Sequence, residues 1–174
     1  MTKGFVLGFV TALAVLMAGG YIFVTMGGLY AGQDVKPGGL ERWGARSSLR
    51  ATMRRDTQGL SNRLQPTDEN LAAGIELYDT HCRVCHGGFD GIASPIAKGL
   101  TPTAPQLAKD GVEDDPVETT YWKIAHGIRF TGMPAFRASL SDRQMWQIAL
   151  FASRMKGPLP PRAQRAWEMQ TAAP

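Results

Sequence analysis

The stretch Cys82-Arg83-Val84-Cys85-His86 contains both cysteines of the chain and one of its three histidines. Its spacing is C-x-x-C-H, the attachment signal for a c-type haem. Two thiols one helical turn apart reach the two vinyl groups of one porphyrin, and the adjacent imidazole then lies under the iron. Other uses of the pattern fit less well. A tetrahedral zinc site needs two further ligands, and only His81 and His126 remain to supply them. A thioredoxin-like dithiol follows a strand, whereas residues 70–81 read as helix. The expectation is one covalently bound haem c, with Cys82 and Cys85 as thioether donors and His86 as proximal iron ligand. The sequence contains no second C-x-x-C-H.

Working outward, the flanks read as helices. Thr67 is a cap, with Asp68 and Glu69 at the positive end of the helix it starts. Leu71, Ile75 and Tyr78 fall at i, i+4 and i+7 and make one apolar stripe. Gly74 interrupts that helix at a cost of about 1 kcal/mol relative to alanine, which implies a close packing partner. Gly87-Gly88 turns the chain away from the motif, and residues 88–105 read as loop. Asp115-Pro116 predicts the next helix, with Asp as cap and Pro at its first position, running to Gly127. Ser141 and Gln144 have capping-box spacing and open the last core helix, which carries Met145, Ile148, Ala149, Ala152 and Met155 on one face. Trp146 and Leu150 widen that face, and Gly157-Pro158 ends the helix. No strand-like alternation occurs. The fold class is therefore all-α: a small domain over residues 67–157, followed by a tail over 158–174 in which Ala163 to Gln170 read as a short helix. A domain of roughly 100 residues has little core of its own, so a covalent haem would supply a large part of it.

The iron then has a sixth position to fill. Met133 lies in Gly132-Met133-Pro134, outside any helical pattern, where a permissive glycine and a rigid proline can aim a thioether. Met145 and Met155 sit on a helix face and read as core. His126 is the rival ligand, at a helix C-terminus where the dipole favours the imidazolium and weakens it as a donor. An open site is the third reading. Methionine ligation raises the potential relative to bis-histidine.

The N-terminal region has a different character. Phe5 to Met26 carries no charge and is long enough to span a bilayer as one helix. A cleaved signal peptide would have an apolar core of about 7–15 residues and a small-residue cleavage site, and neither is present. Gly4 and Gly8 form a small-xxx-small pair, and Tyr21 and Tyr30 suit an interfacial belt. Residues 1–30 are thus expected to be a membrane anchor. Residues 31–66 are an arginine-rich linker with a flexible exit near Gly32, Pro37, Gly38 and Gly39. The net charge is +4. Residues 1–66 hold eight Lys/Arg against three Asp/Glu, and residues 67–174 hold eleven against twelve, so the basic excess lies in the linker. Arg42, Arg46, Arg50 and Arg54 recur every four residues, so a helix over Leu40 to Arg55 stacks them along one side. Either that stripe is a solvated face, or it rests on anionic lipid or on a partner subunit. No nucleic-acid motif accompanies it.

Taken together, these residues resemble the membrane-anchored, monohaem class I c-type cytochromes of bacteria. The resemblance covers roughly residues 67–156. It rests on Gly74-Ile75-Glu76-Leu77-Tyr78, Cys82 to Gly87, Pro105-Gln106-Leu107, the run from His126 to Phe136, and Trp146 to Met155. It implies that Gly74 and Tyr78 cross the helix containing Trp146 and Leu150. It implies a proline carbonyl that accepts from His86 Nδ1–H, with Pro105 the best match and Pro95 the alternative, and Leu107 packing on the haem. It also implies haem attachment on the outer face of the bacterial cytoplasmic membrane, although the positive-inside rule alone would disfavour exporting the arginines. The run from Trp122 to Phe136 resembles accessory subunits of respiratory or dehydrogenase complexes.

Two functions follow from this reading. The first is an electron carrier that binds no small-molecule substrate. It would pass single electrons between redox protein partners, either as a fixed subunit or as a tethered shuttle. The second is a haem enzyme or gas sensor in which Met133 is labile.

Overall fold

The computed structural model describes residues 2–28 and 30–170. Among the described residues every regular element is helical. The chain divides into two units, residues 1–32 and 33–174.

The first unit is helix α1, Thr2–Thr25. Its stretch Lys3–Thr25 is long and apolar enough to cross a membrane by length and composition. Twenty-three residues rise about 35 Å, against a hydrocarbon core of about 30 Å. The side chains of Thr11 and Thr25 are satisfied within the helix, which suits an apolar medium: Thr11 Oγ1 donates to the Leu7 carbonyl and Thr25 Oγ1 to that of Tyr21, each at 2.9 Å. Gly27 takes φ +80° and ends the helix, where Gly28 N–H donates to Phe23 O and Gly27 N–H to Val24 O, a Schellman closure.

The second unit begins with α2, Gly39–Asp56, which carries the arginines. Before it, Thr101 Oγ1 donates to the Gln33 carbonyl, so the exit segment is tied to the loop that precedes Pro105. Helix α3, Asp68–His81, starts at Thr67, whose hydroxyl accepts from Asn70 N–H. Cys82 caps its end, and the short α4, Arg83–His86, follows and holds Cys85. Residues 88–105, read from sequence as loop throughout, contain the single turn α5, Pro95–Gly99, capped by Ser94. Helix α6 is Leu107–Asp110. Helix α7, Val117–His126, begins one residue later than expected, because Asp115 does not cap it: its carboxylate pairs with Lys123 Nζ at 2.5 Å instead. A 3-10 turn, Phe136–Ala138, precedes α8, Asp142–Ala152, which opens on the anticipated capping box of Ser141 and Gln144. That helix stops at Ala152, and Met155 is buried from the turn beyond it.

The core is the crossing of α3 on α8. Leu71, Ile75 and Tyr78 are all buried. At Gly74 the backbones touch: a Cβ there would lie 2.3 Å from the Gln147 carbonyl oxygen and 3.1 Å from Phe151 Cβ. The partner helix is the one the resemblance implies, but Gln147 and Phe151 meet Gly74. Trp146 turns away to stack on Tyr121, with ring centroids 4.0 Å apart.

Helix α9, Pro161–Glu168, lies within the stretch read as a tail. It packs back on α3. Trp167 is 2% exposed and meets Tyr78, Phe151 and Phe89 edge-on. The Asp68 carboxylate accepts from the Ala163 and Arg162 N–H groups at 2.8 and 3.2 Å, satisfying free donors at the start of α9. Residues 171–174 lie outside the described residues.

Candidate functional site

Cys82 ends α3 and begins α4, and the chain makes one tight turn there. The Cys82 carbonyl accepts from Cys85 N–H at 3.1 Å and from His86 N–H at 2.9 Å. Both thiols are free and half-buried. Burial, and then the neighbouring Cys85, push the Cys82 thiol up to about 12, so it stays protonated at neutral pH. Three backbone carbonyls of this turn are tied down by side chains. Tyr78 hydroxyl donates to Gly87 O at 2.9 Å and to His86 O at 3.2 Å, and Gln106 Nε2 donates to Cys85 O at 3.0 Å. Burial first, then Cys82, raises the Tyr78 pKa, which keeps that hydroxyl a donor. Gly87 has φ +75°, and a Cβ there would lie 2.5 Å from Gln106 Oε1.

His86 Nδ1 lies 2.9 Å from the Pro105 carbonyl. A carbonyl can only accept, so Nδ1 carries the proton and Nε2 keeps its lone pair. Burial lowers the His86 pKa, against the raising effect of the Pro105 bond, and so favours the neutral ring that can bind a metal. The structure thus gives Pro105, 19 residues away in sequence, the position for which Pro95 was the alternative. Pro95 instead opens α5, and Leu107 is buried in the hydrophobic core.

Met133 sits in a loop fixed at three points. Gly127 ends α7 at φ +66°, and a Cβ there would lie 2.7 Å from the Met133 carbonyl oxygen. That carbonyl accepts from Ile128 N–H, and Thr131 Oγ1 accepts from Met133 N–H at 3.1 Å. Leu100 seals Gly132, whose Cβ would lie 2.5 Å from it. Met133 is half-buried and packs against the hydrophobic core.

His126 behaves differently from the expectation set by its helix terminus. Its pKa is lowered, not raised: partial burial and the Arg137 guanidinium outweigh the attraction of Asp56. Its ring stacks on Trp122 at 4.9 Å, and Arg137 Nη2 donates to its Nε2 at 3.4 Å.

The donors present suit a covalent haem: two free thiols one turn apart, an imidazole with Nε2 free, and a thioether held by a rigid loop. Among the described residues no group of three or more His, Cys, Asp or Glu side chains is gathered that could hold a metal ion by itself. The sequence reading missed Gln106 and the Tyr78 hydroxyl as props of the cysteine turn. Gln106 adjoins Pro105 in the motif, and that adjacency was the only signal for it.

The model of the family described as "Cytochrome C oxidase, cbb3-type, subunit III" matches residues 69–151. That range runs from the first turn of α3 to the penultimate residue of α8 and takes in the cysteine turn, Pro105, Leu107 and the Met133 loop. No curated protein and no solved structure matches the chain.

Proposed function

We propose that this monohaem c-type cytochrome works as a membrane-tethered subunit that passes single electrons between protein partners, with the haem domain on the periplasmic side of a bacterial inner membrane. Its domain binds haem c covalently and transfers electrons, in the manner of the family it matches. When bound, the haem supplies a one-electron ferric/ferrous couple. We assign the rest to named side chains. Cys82 and Cys85 would hold the haem through thioether bonds, each S–H adding across a vinyl group so that no oxidant is needed. His86 would bind the iron through Nε2, while Pro105 holds Nδ1–H, orients the ring and raises its basicity. Met133 would supply a thioether as the second protein ligand.

The observation that carries this reading is the rigid support of both donors. The Pro105 carbonyl sets His86, and the contacts of Gly127, Ile128, Thr131 and Leu100 set the Met133 loop. Two protein ligands would leave no open position on the iron for a small molecule, which favours outer-sphere transfer over ligand activation. His126 is occupied elsewhere, between Trp122 and Arg137. Within the carrier class, the small-xxx-small pair of Gly4 and Gly8 in α1 and the arginine-rich α2 favour a fixed subunit over a roaming shuttle. Terminal oxidases, quinol-oxidising complexes and periplasmic dehydrogenases are the partner complexes that fit.

The test is the ferrous spectrum with and without carbon monoxide. A low-spin spectrum indifferent to the gas is expected. Immediate conversion to a carbonyl spectrum would instead make the protein a gas-binding sensor or enzyme.

A further inference from the structure

The basic helix α2 has two distinct sides. Leu49, Thr52, Met53 and Asp56 are part-buried on one side, and Asp56 lies near Trp122 and His126 of α7. About 120° around the helix, Trp43, Arg46, Arg50 and Arg54 follow one another at i, i+3, i+7 and i+11, and all four are exposed, with Arg42 at the margin. Trp43 is 67% exposed, and Leu40 beside it 80%. The two acids of the helix stand at its ends and are engaged. Glu41 accepts from Gly38 N–H at 3.3 Å, and Asp56 pairs with Arg55 at 2.7 Å. Among the described residues, Arg42, Arg46, Arg50 and Arg54 make no ion pair.

We propose that this Trp43–Arg46–Arg50–Arg54 face lies on the anionic phospholipid headgroups of the membrane that α1 crosses, as a second, interfacial contact that holds the domain by its basic side. The proposal rests on the tethered reading above. Three observations choose lipid. The face mixes arginines with an exposed indole, the composition of an interfacial helix, in which the ring sits at headgroup level and the guanidinium groups meet phosphates. The chain between α1 and α2 is thirteen residues, Met26 to Gly38, and so spans at most about 45 Å. The charge is also one-sided. The linker carries the basic excess and residues 67–174 do not, so an anionic surface attracts α2 in preference to the rest of the domain.

The experiment uses the full-length holoprotein in nanodiscs of phosphatidylcholine alone or with phosphatidylglycerol added. A fluorophore on Leu40→Cys reports the face, the two native thiols being consumed by the haem. Quenching by neutral acrylamide should fall at least threefold on the anionic discs and recover at 1 M salt, where the Debye length is about 3 Å. A fourfold variant, Arg42→Gln, Arg46→Gln, Arg50→Gln and Arg54→Gln, should be quenched equally on both discs, with an unchanged haem spectrum. Equal quenching of the parent protein on both discs overturns the proposal. If the fourfold variant also loses copurification with a membrane complex, the face belongs to an acidic protein partner instead. Failure of the protein to remain with either disc would count against the tether itself and is seen separately, as elution without lipid.

Discussion

Gly74→Ala probes the joint on which the domain is built. Alanine would gain about 1 kcal/mol of helix propensity in the interior of α3. The new methyl would, however, stand 2.3 Å from the Gln147 carbonyl oxygen and 2.8 Å from its carbonyl carbon. Both are backbone atoms of α8, so no rotamer change can make room, and the two helices must separate by about 1 Å. Overpacking of this kind costs about 1–3 kcal/mol, and a backbone obstacle places it at the upper end. The net loss is about 2 kcal/mol, which for a domain of roughly 100 residues lowers Tm by about 8–16 °C. The assay is thermal unfolding of the full-length holoprotein in mild detergent, followed by the haem absorbance. Gly74→Ser should be at least as damaging. An alanine variant as stable as the parent would refute the close approach of α3 to α8.

Other outcomes follow from the same contacts. Trp167→Ala removes the ring buried between Tyr78, Phe151 and Phe89 and should cost about 3–5 kcal/mol in denaturant unfolding; a loss below about 1 kcal/mol would mean that α9 is not part of the core. Cys82→Ala should leave one thioether and a haem more easily lost in denaturing gels, and removal of Cys85 as well should leave none; covalent haem surviving in the double variant would contradict the attachment. For His126 the folded pKa lies below the ordinary 6.5, so as pH falls the unfolded chain takes up the proton first and stability declines. The effect is small, because the ring is exposed. His126→Gln should flatten the acid side of the stability–pH curve just below about 6.5, and an unchanged slope there would count against it.

The parts of the fold that depend on neighbours in sequence were legible. The cysteine turn, the Thr67 and Ser141 caps, the stop at Gly127 and the arginine helix all involve residues within four positions of one another. Contacts made at long range were harder to read. Trp167 looks like an isolated aromatic in a Pro-flanked tail, because its partner Tyr78 is 89 residues away and nothing local selects it. The choice between Pro105 and Pro95 turned on the path of the intervening loop, which Ser94 shapes by capping α5 and donating to the Val84 carbonyl. His126 was misjudged because the helix dipole was the only influence visible in sequence, whereas Arg137 and partial burial come from packing and act in the opposite direction. Asp115 had a similar fate: its local role as a cap lost to a lysine eight residues on.

The proposed ligation of the iron by His86 and Met133 is the centre of the account, and Met133→Ala tests it most directly. The measurement is the near-infrared absorption of the ferric protein together with its reduction potential. The account predicts that the methionine-to-iron charge-transfer band is present in the parent and lost in the variant, with a lower potential once the thioether is gone. A variant that keeps the parent spectrum and potential would contradict the assignment and return the sixth position to His126.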